Sequence, residues 1–300
     1  MKERVLITGI SGGLAKETKN ILSENYEVFG LTHNKNNIDN KNTFFWNPST
    51  QEIDKKALEK CDHIVHLSGY SILKKWTRRN KKIMYNSRIG GAELLFKTCN
   101  ELNIKPKTFI TASAIGIYGL NSEGEKKEDN SLGNDWIAKM AIDWENAANM
   151  FNKLESRVVH MRISLLISEK TGILKYNLLS MKLGIGAIIG SNNGIVNWIH
   201  IHDVARFIKS SIKEKSFKGP YNLATNEKIT QYNFIRTIKN NLYSYSLIIN
   251  IPSIVLKVIL GDRFQIIKLG NTTINIDKLK KNNFNWKYKT FKSVIKNIKN

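Results

Sequence analysis

The sequence predicts an α/β fold, a doubly wound parallel sheet with a smaller α+β C-terminal portion. Three observations carry this. Apolar, β-branched runs of strand length alternate with helical-period stretches through residues 1–167, the pattern of successive βαβ units. The runs are apolar almost without interruption, as strands covered on both faces must be. The first run ends in a glycine-rich turn that opens directly into a helical stretch.

Taken in order, "RVLITG" is the first strand, and "LAKETKNILSE" follows it at helical period. Tyr26–Thr32 is the second strand, and the Lys/Asn-rich segment 33–43 reads as a surface loop. Asp62–Leu67 is the third, ending at Ser68-Gly69. A helix is expected over Ser87–Asn103, a strand in "KTFITASA", a long helix over Trp136–Glu155 and another strand in "SRVVHMRISLLI". After Ile167 the rhythm changes. "LGIGAIIGSNNGIVNWIHIHD" is glycine-rich and returns to an alternating strand at Asn197–Ile201. "GPYNLAT" is a turn and a short strand, and residues 226–300 form the smaller α+β portion.

With 300 residues, 41% of them hydrophobic, the chain can bury a sizeable core, as one large domain or as two that share it. Cys61 and Cys99 cannot make a disulfide framework and have no Cys or His neighbour at metal-ligand spacing. That points to a reducing, cytoplasmic compartment. "MKERVLITG" lacks a long apolar region and a small-residue cleavage site, so no signal peptide is expected. The longest apolar stretch, Leu247–Gly261, is broken by Pro252 and Lys257 and is shorter than a membrane span needs. A helix lying in a membrane surface is the alternative it leaves.

The net charge is +22. One reading is a footprint for phosphates, densest at Lys74–Lys82. The other is biased composition: Lys far outnumbers Arg, and Lys and Asn are spread along the whole chain. Readers of bases and phosphates lean on Arg forks, so the charge is read as a basic solvated surface with no specific nucleic-acid partner.

"ITGISGGLAKE" sits between the first strand and the first helix, where a dinucleotide fingerprint belongs. Gly9 permits the sharp turn, Gly12 lets the backbone approach a pyrophosphate, and Ala15 takes the third, small-residue place. A bare βα turn is the competing explanation. The second strand ends in "GLTHNKNN", with no acid to bind a ribose 2′-hydroxyl and with His33 and Lys35 close by. A basic, acid-free end suits a 2′-phosphate, so NADP(H) is favoured over NAD(H), although His in place of Arg weakens the fork geometry.

With these motifs in place the chain resembles the extended short-chain dehydrogenase/reductase superfamily. Within it, the chain is similar to the atypical NAD(P)-dependent epimerase/dehydratase-like subgroup that ends in a C-terminal domain of unknown function. The matching stretches include "LITGISGGLA", "DHIVHLSGYSI", "TASAIGIYG", "DWENAA", "VVHMRISLLI" and "LKKNNFNWKYKTFKSVI". The resemblance implies a Rossmann-type NADP-binding domain over 1–167, with 197–225 returning to it, and a substrate-side domain over 168–196 and 226–300. It places Gly9, Ser11, Gly12 and Leu14 at the phosphate loop, and Thr32 and His33 at the 2′-phosphate, where the subgroup usually has Arg in the place of His33. It places Asp62 on the adenine side, Leu67, Ser68 and Gly69 along the nicotinamide ribose, and Arg162 at the strand end that closes the site. His200 and Asp203 match an "IH-x-x-D" element. With His202 they suggest a metal site, but His200 and His202 merely share one face of a strand and no ligand beyond these is evident, so no metal is expected.

Members of the superfamily typically use a Tyr to move the carbonyl proton, a Lys four residues later, and a Ser or Thr at the preceding strand end. Hydride transfer leaves an alkoxide that needs a proton donor in reach. Here the Tyr place holds Ile137, the Lys place holds Ala141, and the Ser/Thr place holds Ala114. The subgroup shares the loss of Tyr and Lys. Ser113, one residue off, would face the other way on a strand. Ser113 and Tyr118 are the candidate catalytic groups, with Tyr70 and Lys139 behind them. Plain structural explanations compete: Tyr118 in packing, Lys139 in solvent, and the Trp144-Glu145 pair in helix packing with an ion pair. Two functions remain in view. One is an oxidoreductase or epimerase acting on an unidentified small molecule. The other is a cofactor-binding regulator or scaffold without turnover. Oligomeric state is open.

Overall fold

Eight strands hydrogen-bond into one sheet in the computed structural model, which describes residues 2–39 and 41–299. The chain runs β1 (Arg4–Thr8), α1 (Gly13–Leu22), β2 (Glu27–Thr32), β3 (Thr43–Asn47), β4 (Glu52–Ile53), β5 (His63–His66), α2 (Arg78–Tyr85), α3 (Gly91–Glu101) and β6 (Thr108–Ala114). It continues through β7 (Gly124–Lys126), α4 (Trp136–Asn149), β8 (Arg157–Ile163), β9 (Leu165–Ile167), α5 (Gly172–Lys182), β10 (Ile185–Ile189), β11 (Ile195–Val196), β12 (Trp198–His200) and α6 (Ile201–Lys213). The last part comprises β13 (Gly219–Leu223), β14 (Ile229–Thr230), α7 (Gln231–Leu242), β15 (Leu247–Ile251), α8 (Ser253–Leu260), β16 (Thr272–Ile274), α9 (Asp277–Lys281) and α10 (Phe291–Lys299).

The sheet order is β13-β8-β6-β5-β1-β2-β3-β4. β1 pairs in parallel with β2 and β5, β2 with β3, and β5 with β6, while β4 turns back antiparallel to β3. From β1 the chain first builds outward through β2 and β3, then returns and builds the other way through β5 and β6. β1 is therefore the topological switch point, and the crevice beyond the carboxyl ends of β1, β2 and β5 is where such sheets take ligands. The Rossmann-type α/β architecture is the one the strand–helix alternation implied.

The central strands are buried on both faces, as the unbroken apolar runs require: Val5, Ile7, Ile64, Val65, Phe109 and Ile110 have no exposed surface. α1 buries Ala15, Thr18 and Leu22, one stripe at helical spacing. The helix expected over Ser87–Asn103 starts earlier. α2 and α3 run on through a π turn at Asn86–Gly90. The helix expected over Trp136–Glu155 ends at Asn149 and tightens into a 3-10 turn, closed by Glu155 at φ 62°.

The chain forms two compact units. One comprises residues 1–114, 139–162 and 204–221, the other 115–138, 163–203 and 222–300. The boundaries expected from the sequence, 1–167 with 197–225, and 168–196 with 226–300, therefore differ from the observed ones. Segment 115–138 belongs with the second unit because its polar groups are satisfied there. Gly133 N donates to Ile117 O at 2.8 Å, and the Tyr118 hydroxyl donates to Asn222 Oδ1 at 2.7 Å. The second unit has its own core around Met181, Ile188, Trp198, Phe234, Ile235 and Phe291, with the Phe234 and Phe291 rings stacked at 4.0 Å. The strand expected at Asn197–Ile201 is β12, and Ile201 already opens α6.

Candidate functional site

The turn after β1 is built by glycine. Gly9 takes φ +65°, the left-handed region where a side chain is strained. A Cβ there would also lie 3.1 Å from Ser68 Cα. The amides of Gly9 and Ile10 both donate to Leu31 O, and Gly12 N donates to Gly9 O, which folds the turn back on itself. Gly12 is the N-cap of α1. It has no side-chain cap, and no acid lies in the first turn. The helix N-terminus is therefore left to an anion. Ser11 and Gly12 are exposed, Leu14 is half-buried, and Ala15 is buried, as close helix–strand packing requires. This cradle fits a pyrophosphate.

At the adjacent end of β2, Thr32 is buried and its Oγ1 accepts the Asn34 amide at 3.1 Å. His33 is exposed, and Lys35 lies with its ammonium 5.4 Å from the Phe45 ring centre. The next acid along the chain, Asp39, is committed. Its Oδ1 accepts the amides of Lys41, Asn42 and Thr43, and these backbone hydrogen bonds, that of Asn42 foremost, hold its carboxyl below the ordinary range. The end of β2 thus presents the Lys35 ammonium and the exposed His33 ring, with the nearby carboxylate of Asp39 already committed to backbone amides.

The end of β5 is held by a network that spacing does not reveal. His66 Nε2 is 2.9 Å from Arg88 O, and its Nδ1 is 3.0 Å from Thr8 Oγ1. A carbonyl only accepts, so Nε2 carries the hydrogen and Nδ1 takes the Thr8 hydroxyl hydrogen. Thr8 Oγ1 in turn accepts the amides of Leu67 and Ser68, both at 3.0 Å. Burial pushes the His66 imidazole down to about 4, so it is neutral at physiological pH. Ser68 Oγ donates to Ser87 O, and Ser87 Oγ accepts the Tyr70 amide. Arg88 donates through Nη1 to Tyr70 O and Met84 O, and its guanidinium lies 5.1 Å from the Trp144 ring centre. Loop 67–70 is thereby fastened to the π turn, a helical defect frequent at functional sites. Thr8, His66, Ser87 and Arg88 are the residues that sequence reasoning missed. The signal available was Ser87 followed by Gly90-Gly91 inside a helical stretch, a combination that permits local rewinding.

Asp62 does not join this group. It stands beside Arg4, whose amide donates to its Oδ2 at 2.9 Å, and its Oδ1 pairs with Lys107 at 2.8 Å. Arg4 opens β1 and Thr8 closes it, so Asp62 lies about 13 Å from the glycine turn along the strand direction. The first residue of a parallel strand is at the amino edge of the sheet, away from the ligand edge.

Ser113 and Arg162 are brought together, through a residue the sequence reading left undecided. Ser113 Oγ donates to Glu145 Oε1 at 2.8 Å, and Arg162 grips the same carboxylate with Nε on Oε1 and Nη2 on Oε2, both at 2.9 Å. Ser113, Glu145 and Arg162 are all buried. Burial by itself would raise the Glu145 carboxyl, but Arg162, His160 and the Ser113 hydroxyl outweigh it and hold the group below its ordinary value. The triad is a closed ion pair with a hydroxyl attached, so the Ser113 hydroxyl is already spent. Tyr118 is likewise buried and donates to Asn222, whose side-chain amide donates to Lys126 O and Asn275 O. In the second unit Asp203 accepts the amides of Lys287 and Tyr288, and the His200 ring lies 4.0 Å from that of Tyr288. Asp203 is therefore committed to the backbone of the C-terminal segment within the second unit. Among the described residues no three or more His, Cys, Asp or Glu gather where they could hold a metal.

The model of the NAD dependent epimerase/dehydratase family matches residues 5–224. Epimerase family protein YfhF of Bacillus subtilis is 28% identical over 237 residues, 78% of each chain. Epimerase family protein SAR0825 of Staphylococcus aureus is 26% identical over 302 residues, 99% of each. The crystal structure of human epimerase family protein SDR39U1 with NADPH superposes with a TM-score of 0.84 at 22% identity, covering 98% of both chains. UDP-glucuronic acid 4-epimerase from Bacillus cereus, in complex with UDP-glucuronic acid and NAD, gives 0.79 at 16% identity over 98% of this chain and 96% of that one.

Proposed function

Because the chain belongs to the NAD dependent epimerase/dehydratase family, we propose that it binds NADP(H) along the carboxyl edge of β1, β2 and β5. We further propose that it exchanges hydride with a small carbonyl or sugar-like compound, using a proton donor other than the usual Tyr-x-x-x-Lys pair. The glycine turn and uncapped α1 N-terminus support the pyrophosphate contact. The acid-free end of β2, with His33 and Lys35, supports NADP(H) over NAD(H), and the NADPH of the human structural neighbour agrees. Bound there, the cofactor would supply or accept the hydride. The chain's own residues would hold the phosphates at Gly9–Leu14 and bound the nicotinamide side with the fastened loop 67–70.

One observation favours a second reading, cofactor binding without turnover: the two candidate hydroxyls, Ser113 and Tyr118, are both consumed in buried hydrogen bonds. Titration with NADPH and NADH, followed by absorbance at 340 nm against panels of carbonyl compounds and UDP-sugars, separates the two. Turnover with any member supports the enzyme. Tight NADPH binding with no turnover across the panels supports the second reading. Unchanged NADPH affinity in Gly12→Asp would sink the phosphate-loop assignment itself.

A further inference from the structure

The apolar run Leu247–Gly261 is turned outward. β10 and β15 form a parallel two-stranded ribbon with Ile185 opposite Leu247 and Ala187 opposite Ile249. One face of the ribbon is packed: a Cβ on Gly186 would lie 2.8 Å from Met181 and 3.1 Å from Ile235, and Ile188 is buried in the same core. Side chains alternate along a strand, so Ile185, Leu247 and Ile249 share the opposite face, and all three are exposed.

Further apolar side chains of the same unit are exposed on α5 and on α8. Tyr176, Leu179 and Leu183 recur at the i, i+3, i+7 spacing of one helical stripe along α5 and just past its end. All three face solvent, Leu183 at 77%. The Tyr245 hydroxyl donates to Lys182 O at 2.8 Å, which sets another exposed ring beside them. After β15 only Pro252 precedes α8. There Ile254, Val255, Val258 and Ile259 are exposed, Val258 at 82%, while Leu256 is buried. Large apolar side chains exposed together on a strand face and the helix that follows it mark an interaction site.

Charge selects the partner. The sequence has no Asp or Glu from Lys170 to His202, nor from Lys228 to Gly261. Those two segments supply α5, β10, β15 and α8, and their cations include Lys170, Lys175, Lys182, Arg236, Lys239 and Lys257. Lys175 and Lys182 follow each other at i, i+7 along α5, beside the apolar stripe, and Lys257 sits among the exposed residues of α8. A second copy would set two such surfaces face to face, like charge against like charge. Anionic lipid headgroups reverse the sign of that interaction. The ammonium groups meet phosphate and carboxylate while the lysine stems and apolar side chains sink below them.

We propose that the second unit docks on an anionic lipid surface through the open face of the β10–β15 ribbon and α8, lying in the interface without spanning it. Among the described residues no helix is long and apolar enough to cross a membrane.

The full chain is co-sedimented with vesicles of phosphatidylcholine alone and of phosphatidylcholine mixed with phosphatidylserine. Sedimentation with the phosphatidylserine vesicles, falling as salt is raised, is expected. It should weaken by at least about tenfold in Val258→Ser/Ile259→Ser and in Lys257→Glu on α8, with the thermal midpoint of both variants unchanged. No sedimentation with phosphatidylserine vesicles at low salt overturns the proposal, as does equal sedimentation of the parent and the serine variant. A concentration-dependent dimer that the serine variant abolishes, in a chain that ignores vesicles, also overturns it and assigns the surface to a second copy.

Discussion

The Ser113 hydroxyl donates to a Glu145 oxygen that Arg162 already holds, so the three side chains form one buried unit in which each depends on Glu145. Glu145→Ala strands the Arg162 guanidinium in a buried site. It should cost about 3–5 kcal/mol of stability, read by urea unfolding. Ser113→Ala removes one hydrogen bond and should cost about 1 kcal/mol while leaving NADPH affinity unchanged. A loss of turnover by Ser113→Ala without loss of stability would return Ser113 to the catalytic machinery.

Acid should weaken the fold in two stages. His66 is held neutral by burial, down to about 4 from an ordinary 6.5. Below pH 6.5 the unfolded chain takes up a proton there that the folded chain refuses, so stability is full above 6.5 and falls as pH drops toward 4. The full difference is on the order of 3 kcal/mol. Glu145 is depressed, so its contribution is present above the ordinary carboxylate range and is lost only at lower pH. Urea midpoints at pH 7.5, 5.5 and 4 should fall in sequence. In His66→Asn the first drop should shrink.

His33→Asp places a carboxylate where a 2′-phosphate is proposed to lie. NADPH affinity should fall at least about tenfold relative to NADH, near 1.4 kcal/mol, by fluorescence titration. An unaltered ratio would remove the end of β2 from the cofactor site.

Tyr118→Phe deprives the buried Asn222 Oδ1 of its donor and should cost about 1–3 kcal/mol with NADPH binding intact. If Tyr118 instead moves a proton in turnover, kcat should fall about 100-fold or more in protein whose NADPH affinity is unchanged.

Some of this was legible in the sequence. The glycine turn depends on residues three apart, and the central strands on local apolar runs, so Gly9, Gly12, β1, β5 and β6 could be placed directly. The alternation of a strand already turned Ser113 away from Ala114. What stayed hidden depends on distant partners. Thr8 meets His66 across 58 positions and His66 meets Arg88 across 22, and no local period encodes either contact. Asp62 was placed by family resemblance, and its surroundings could not be read locally. The structure sets it just before β5, beside Arg4 and Lys107 at the amino edge of the sheet.

The interleaving of the two units has a consequence for the nascent chain. β13, the strand that covers β8 in the sheet, lies about sixty residues after it in synthesis order. At about 5–20 residues per second, a ribosome leaves Val158, Val159 and Met161 of β8 without that neighbour for roughly 3–12 s. During that interval β8 is an open apolar edge of the kind that pairs with strangers. That edge exposes the nascent chain to aggregation midway through its own translation, and a truncation before Gly219 would make the condition permanent.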